Sequence, residues 1–207
     1  MSSVHRPAPV HSPDSRFADL RRALDAHARA HGIDVRDAEL PMQMPAAFDG
    51  LSITLNPRHD AASLCWYLAH SFGSIAGWSL DLDPVAAMFH ALRAARDARP
   101  RDEVQHEQLI ARFRAFEERS SSYSVWTLAR LGHDWAVRPF TLFFRADLEG
   151  MTIFHRHGRA PVWRSYLAEW ELAVANGSRA LEPFPPVPVP PFTPLRFERQ
   201  EVTQTLG

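Results

Sequence analysis

Lysine is absent from this chain of 207 residues, and all 23 of its basic residues are arginine. Asparagine is nearly as rare, because only Asn56 and Asn176 are present. We interpret both biases as codon usage in a GC-rich bacterial genome and not as functional features. The formal net charge is only −1, so the composition gives no sign of a basic surface and we predict no nucleic-acid partner.

Cysteine is limited to Cys65, so the chain cannot form an internal disulfide, and a reducing cytoplasm is its simplest compartment. The opening residues, MSSVHRPAPVHSPDS, lack the apolar segment of a secretory signal. The uncharged window from Ser63 to Leu80 contains four serines and a histidine, which favours a buried helix over a membrane span. We therefore predict a cytoplasmic protein without membrane association.

The remaining pattern predicts one domain over residues 13–178, after a disordered segment at 1–12. Leu51, Ile53 and Leu55 alternate with polar residues, which predicts a strand. Helical patterns begin at Ser12, Asp60, Asp83, Arg101 and Pro161, and residues 134–158 are expected to be helical in their second half. The serine run at 120–122 is expected to kink or split its helix. The fold class is therefore α+β, mainly α, with a small sheet.

Residues 179–207 are predicted to form a proline-rich extended tail, because seven prolines lie between Pro183 and Pro194. We interpret the tail as a segment whose removal from residue 183 onward leaves the domain folded. The alternatives are a strap on the domain, anchored by Phe184, Phe192 and Phe197, or a ligand for an aromatic groove of another protein.

The helix after Asp60 contains the segment LAHSFGS, in which His70 is followed by Ser71 and Ser74. A zinc peptidase helix reads His-Glu-x-x-His, because two imidazoles one turn apart reach the same metal and the glutamate takes a proton from the bound water. Here the first histidine is present, and serines occupy the positions of the general base and the second ligand.

The segment ITLNPRHDAASLCWYLAHSFGSI resembles the ImmA/IrrE family of zinc metallopeptidase-like proteins. In that family a strand ending in I-x-L-N-P leads into a helix of the type FTLAHELGHLL. The matching positions are Ile53, Leu55, Asn56, Pro57, Leu68, Ala69, His70, Phe72 and Gly73. The resemblance covers residues 18–131 and implies a minimal zincin-like core with additional C-terminal helices.

The resemblance also implies a third ligand from a later helix, for which Glu117 is the candidate and Glu118 the alternative. His70, Ser71, Ser74 and Glu117 would then form a vestigial site. Serine is too weak a base near neutral pH and a poor zinc ligand, so we assign no catalytic residue and no cofactor. We expect His70 to hydrogen-bond a carboxylate such as Glu117. If zinc is retained, His70 and Glu117 are its candidate ligands.

These residues predict a non-catalytic metallopeptidase-like protein, a pseudopeptidase, with a regulatory role or a protein partner. The first alternative is an active zinc metallopeptidase with an atypical site. The second is a purely structural helical protein with an accidental resemblance, for which no contact between His70 and Glu117 is expected.

Four other sets of residues could carry out chemistry or binding, but each has a simpler interpretation. His155 and His157, with His133 upstream, could bind one metal together only on a strand, because residues two apart point to different sides of a helix. Cys65 lies in an apolar stretch, which favours packing over nucleophilic chemistry. A serine hydrolase site at Ser71 or Ser74 lacks an oxyanion-forming turn. Trp163 and Trp170 share one helix face, which favours a core over a partner surface.

Overall fold

A computed structural model describes residues 13–42, 44–49, 52–80, 82–98 and 102–187 of the chain. The predicted disorder at 1–12 and the tail from residue 188 onward lie outside these residues. The described part contains six helices and a small mixed sheet, which confirms the predicted α+β, mainly α, fold class. The elements follow the order α1 Pro13–Ala30, β1 Asp34–Asp37, β2 Ala46–Phe48, β3 Ser52–Leu55, α2 Ala61–Leu80, α3 Leu82–Asp97, α4 Glu103–Arg130, α5 Asp134–His157 and α6 Trp163–Ala175.

The sheet has the strand order β1-β3-β2, with β1 parallel and β2 antiparallel to the central strand β3. The alternating pattern of β3 predicted one polar face, yet all four of its residues are buried. Its polar side chains are covered by other polar groups: the Ser52 hydroxyl donates to Asp49, and Thr54 accepts from Arg36. The sequence did not predict β2, because the segment Ala-Ala-Phe has no β-branched residue and is too short to show alternation.

Asn56 joins the sheet to the helix that carries the candidate site. Its side chain is fully buried, and its amide nitrogen donates to the carbonyl oxygens of Leu40, Pro41 and Met44 at 3.1–3.3 Å. Its side-chain oxygen accepts from the backbone of Arg58. The asparagine of the I-x-L-N-P motif therefore holds the loop that precedes β2 against the end of β3.

Helix α2 lies at the centre of the fold and packs against α1, the sheet and α4. Its first turn is capped by Asp60, whose carboxylate accepts from the backbone and the hydroxyl of Ser63. Its buried side chains include Leu68, Phe72 and Ile75, which share one stripe as the sequence predicts. In the part of the chain that is described, no helix is long and apolar enough to cross a membrane.

Two helices are more regular than the sequence predicts. Helix α4 runs without interruption from Glu103 to Arg130, so the serine run does not split it. These serines are buried, and Ser122 donates its hydroxyl to the carbonyl of Glu118 one turn earlier, so that hydroxyl is satisfied within the helix. Helix α5 includes the first half of residues 134–158 as well as the second, with Pro139 inside it. Packing of its apolar face on α4 offsets the one backbone hydrogen bond that proline removes.

The first residues of the tail lie against the domain. Phe184 is only 6% exposed and packs near Phe140, and the guanidinium of Arg145 stands 4.2 Å from the Phe184 ring. Arg145 also donates to the carbonyl oxygens of Glu182 and Pro183. Residues 180–187 are neither helix nor strand, and they are held by these contacts. Phe192 and Phe197, the other candidate anchors, lie outside the described residues.

Candidate functional site

His70 of α2 and Glu117 of α4 meet in the interior of the domain. The imidazole Nε2 lies 3.0 Å from the carboxylate Oε2, and the two side chains are 5% and 11% exposed. Because a carboxylate accepts, Nε2 carries the proton and donates it to Glu117. The other ring nitrogen, Nδ1, is buried without a hydrogen-bond partner among the described residues.

A close approach of α2 and α4 brings these two residues together. A Cβ atom on Gly73 would lie 2.2 Å from the carbonyl oxygen of Ser120 and 2.3 Å from the hydroxyl of Ser124, so only glycine fits there. The Ser124 hydroxyl bridges the helices, with the carbonyl oxygens of Ala69 and Ser120 at 3.0 and 2.9 Å. The serine run of α4 is therefore a small-residue surface that lets α2 pack at short range.

Aromatic rings fix the orientation of the His70 imidazole. Phe144 of α5 stacks on it with ring centres 4.1 Å apart and planes inclined by 15°. Tyr67, one turn before His70, packs edge-on against Phe143 and Phe144. Burial raises the pKa of the Tyr67 phenol well above its usual range, and the nearby carboxyls of Asp147 and Asp60 raise it further.

Asp147 of α5 is a third polar group of this site, and the sequence analysis did not identify it. Removal from water raises the pKa of its carboxyl to about 7, and repulsion from Glu117 adds to the rise while attraction to His70 opposes it. Its signal was present in the sequence: Asp147 stands three residues after Phe144 and four before Met151, on the apolar face of α5. A carboxyl on an apolar helix face is a candidate functional group.

The other residues of the predicted site are Ser71, Ser74 and Glu118, the alternative carboxylate. Ser71 is buried and Ser74 is half-buried, and both follow His70 on α2. Glu118, the alternative to Glu117, pairs with Arg145 at 2.9 Å. Glu117 is therefore the carboxylate that contacts His70.

A catalytic zinc site of the expected kind does not fit these residues. His70 is the one imidazole of the cluster and already donates to Glu117, and serines stand at the positions of the base and the second ligand. Within the described ranges, no three His, Cys, Asp or Glu residues are placed to hold a metal ion.

The remaining candidates do not extend the site. Helix α5 places His155 in the interior and His157 on the surface, as a helix requires. Burial raises the pKa of the Cys65 thiol to about 12, and its sulfur lies 3.4 Å from the carbonyl oxygen of Phe17, so it is a packing residue. Trp170 is buried, with the Arg179 guanidinium 4.0 Å from its ring, and Trp163 packs on Phe143.

A cavity of about 1260 Å³ opens beside the site, and Tyr67, His70, Glu117, Phe144 and Asp147 all line it. Helices α3 and α6 supply its outer walls. This volume exceeds the roughly 300–1,000 Å³ that is usual for small-molecule sites. The cavity therefore has room for a ligand larger than a typical small molecule, and its lining combines polar groups with aromatic rings.

No protein-family model, curated protein or solved structure matches the chain. The ImmA/IrrE resemblance consequently rests on the quoted motif and on its residues alone.

Proposed function

We propose that the chain is a metallopeptidase-like protein without peptidase activity, which binds a peptide segment of a protein partner in the cavity beside His70. The observation that carries this proposal is the 3.0 Å contact between His70 and Glu117. The resemblance implied that these two positions, on different helices, belong to one site. A structural helical protein with an accidental motif gives no reason for that contact.

The polar groups of the cavity support binding rather than peptide hydrolysis. Ser71 and Ser74 stand where a zinc peptidase has its base and second ligand, so water activation by that route is lost. The buried Nδ1 of His70 and the Asp147 carboxyl can still hydrogen-bond the amides of an extended peptide. Tyr67, Phe144 and Trp163 provide apolar surface for its side chains.

Binding of peptides can be tested with a pair of substitutions on α6. Ala168 lines the cavity, whereas its exposed neighbour Glu169 does not. Fluorescence polarisation with a library of labelled short peptides should identify ligands of the wild-type chain. We expect Ala168→Trp to abolish their binding and Glu169→Trp to leave it unchanged. Equal affinity in both variants would place the peptide elsewhere on the surface and remove the proposal.

The second candidate is an active zinc metallopeptidase with an atypical site, and Asp147 is the observation that favours it. Asp147 adds a second carboxyl whose charge interacts with His70 and Glu117, so the cavity has one more oxygen donor than the sequence predicted, although these three groups are not placed to hold a metal ion together. Elemental analysis of the purified chain decides between the two functions. We expect no stoichiometric zinc and no cleavage of casein. About one zinc per chain that survives dialysis against a weak chelator, together with cleavage of casein, would establish the enzyme instead.

A further inference from the structure

Two arginines and a histidine of α3 line one end of the cavity. His90, Arg93 and Arg96 of α3 line it at intervals of three residues, which places them on one helix face. The described acidic residues that line the cavity, Asp60, Glu117, Asp147 and Glu171, belong to the start of α2 and to α4, α5 and α6. Among the described lining residues α3 contributes no acidic side chain, whereas α6 contributes both Arg164 and Glu171, so the α3 wall has complementary charge for an anionic group.

His155 of α5 lines the cavity at the same end and is only 8% exposed. Its Nδ1 is buried without a hydrogen-bond partner among the described residues. Burial lowers the pKa of the His155 imidazole to about 4, and the positive charges of Arg96, His106 and Arg93 lower it further. A buried polar atom without a partner is unfavourable, so a ligand group that accepts from this imidazole gains the missing interaction.

Arg93 and Arg96 differ in whether their guanidinium groups are available to bind a ligand. Arg96 donates through Nε and Nη2 to Asp97 at 2.8 and 3.1 Å, and its guanidinium lies 4.7 Å from the centre of the Phe154 ring. Asp97 thus offsets the Arg96 charge and fixes the side chain as part of the wall. Arg93 is exposed at the rim of the cavity, where a guanidinium can bind a carboxylate through two parallel hydrogen bonds.

We infer that Arg93 and His155 form a subsite that binds a carboxylate of the peptide ligand, and this inference rests on the proposed function. Arg93 supplies the charge, and the His155 imidazole donates the second hydrogen bond from the buried wall. A carboxylate fits better than a phosphate dianion because Glu117 and Asp147 line the same cavity and repel a higher negative charge. The carboxylate belongs either to an acidic side chain of the peptide or to its C-terminus.

The subsite can be tested without a peptide by titrating the full chain with acetate, with chloride at matched ionic strength as the reference. Histidine ring signals in NMR spectra report on His155 directly. We expect a saturable shift of the His155 signals with acetate, and a rise of the His155 pKa from about 4, because a bound anion stabilises the imidazolium. The charged and titratable groups that act on His155 are Arg93 and Arg96 of α3 and His106 of α4, and His90 also lines this end.

Matched arginine variants identify the residue responsible. Arg93→Gln should weaken acetate binding about tenfold, since a charge-assisted pair is lost, whereas Arg112→Gln on the exposed face of α4 should not. The absence of a saturable shift at His155, or equal weakening in both variants, would overturn the subsite.

Peptides that bind the wild-type chain then distinguish the source of the carboxylate. Amidation of the C-terminus, or replacement of an acidic side chain by its amide, should weaken binding to the wild-type chain but not to Arg93→Gln. Tight binding of peptides that lack both carboxylates, unaffected by Arg93→Gln, would remove the subsite and leave the proposed function intact. If no peptide of the library binds while acetate still binds at His155, the proposed function is wrong and the subsite is a site for small anions.

Discussion

The carbonyl oxygen of Ser120 lies so near Gly73 that any residue other than glycine at position 73 would force α2 and α4 apart. His70 and Glu117 flank this contact, one on each helix, at a separation of 3.0 Å between Nε2 and Oε2. The site geometry thus depends on a backbone approach as well as on the two side chains that meet there.

Gly73→Ala should unfold the chain partly or destabilise it by about 3 kcal/mol or more, because the added Cβ meets backbone on α4 that cannot move alone. Gly77→Ala is the matched control one turn later. Its Cβ would lie 3.3 Å from the Ser120 hydroxyl and 3.4 Å from Phe116, and alanine raises helix propensity by about 1 kcal/mol. Urea denaturation of both variants measures the difference. Similar stabilities would show that α2 and α4 are too far apart for a Cβ atom on Gly73 to meet Ser120.

Glu117→Ala should lower the free energy of unfolding by about 1–3 kcal/mol, because it leaves the buried Nε2 of His70 without its acceptor. Glu118→Ala should cost less than about 1 kcal/mol, since its ion pair with Arg145 is more exposed. Denaturant unfolding near neutral pH gives both values. A larger loss in Glu118→Ala than in Glu117→Ala would contradict the assignment of the buried partner.

Asp147→Asn should stabilise the fold, and the gain should increase with pH. The unfolded carboxyl loses its proton near pH 3.8, whereas the folded carboxyl keeps it until about pH 7. The stability of the wild-type chain therefore falls as pH rises between these values and then levels off. The difference between pKa values of 3.8 and about 7 corresponds to roughly 4 kcal/mol, and because Asp147 is only half-buried we expect about 1–2 kcal/mol at pH 8.

Thermal melts of the wild type and Asp147→Asn at pH 4, 6 and 8 check this dependence. The two chains should have similar melting temperatures at about pH 4 and diverge above it. Glu149→Gln is the control. It removes another carboxylate of α5, one that pairs with Arg179. A stability difference that does not change between pH 4 and pH 8 would show that the Asp147 carboxyl has an ordinary pKa.

The local sequence was sufficient to predict the strand–turn–helix segment from Ile53 to Phe72, because alternation, Asn56-Pro57 and the Asp60 cap are all encoded within it. Glu117 was also identified, since the resemblance implies a third ligand from a later helix. The sequence could not reveal that Asp147 joins these residues. Its place depends on how α5 packs on α4, which is a property of the tertiary fold and not of any short segment.

The expectation that the serine run would split α4 was wrong for the same reason. Helix propensity treats Ser120 and Ser124 as weakening residues, which is correct for an exposed helix. In the folded chain their small size lets Gly73 approach, and the Ser124 hydroxyl contacts the Ala69 carbonyl on the neighbouring helix. Propensity is a local quantity, and the packing of α2 on α4 overrides it.

A chain that ends at Glu182 should be less stable than one that ends at Val187 by about 1.5–3 kcal/mol, because it loses the buried Phe184. This outcome differs from the dispensable tail that composition alone suggested. Phe184→Ala in the full chain should reproduce most of the loss, since the Arg145 guanidinium packs on that ring. Equal melting temperatures for the two truncated chains would instead show that the Phe184 contact contributes nothing to stability.

Restoring the two missing zinc-site residues tests whether the site descends from a metal centre. In the variant Ser71→Glu with Ser74→His, two imidazoles lie one turn apart on α2, with Glu117 as the third ligand. Zinc should then raise the melting temperature of the variant and not that of the wild-type chain. A ligand that binds only the folded state stabilises it by about 2.7 kcal/mol at a concentration of 100 times Kd.

Adding Glu117→Ala to the restored variant should abolish the zinc effect, whereas adding Glu118→Ala should preserve it, because Glu118 pairs with Arg145 and not with His70. Ser74→His without Ser71→Glu keeps the ligands and lacks only the general base, so it should gain most of the zinc stabilisation. If a folded restored variant shows no response to zinc, then His70 and Glu117 are an ordinary buried hydrogen-bonded pair. The ImmA/IrrE resemblance would then lose its main physical support.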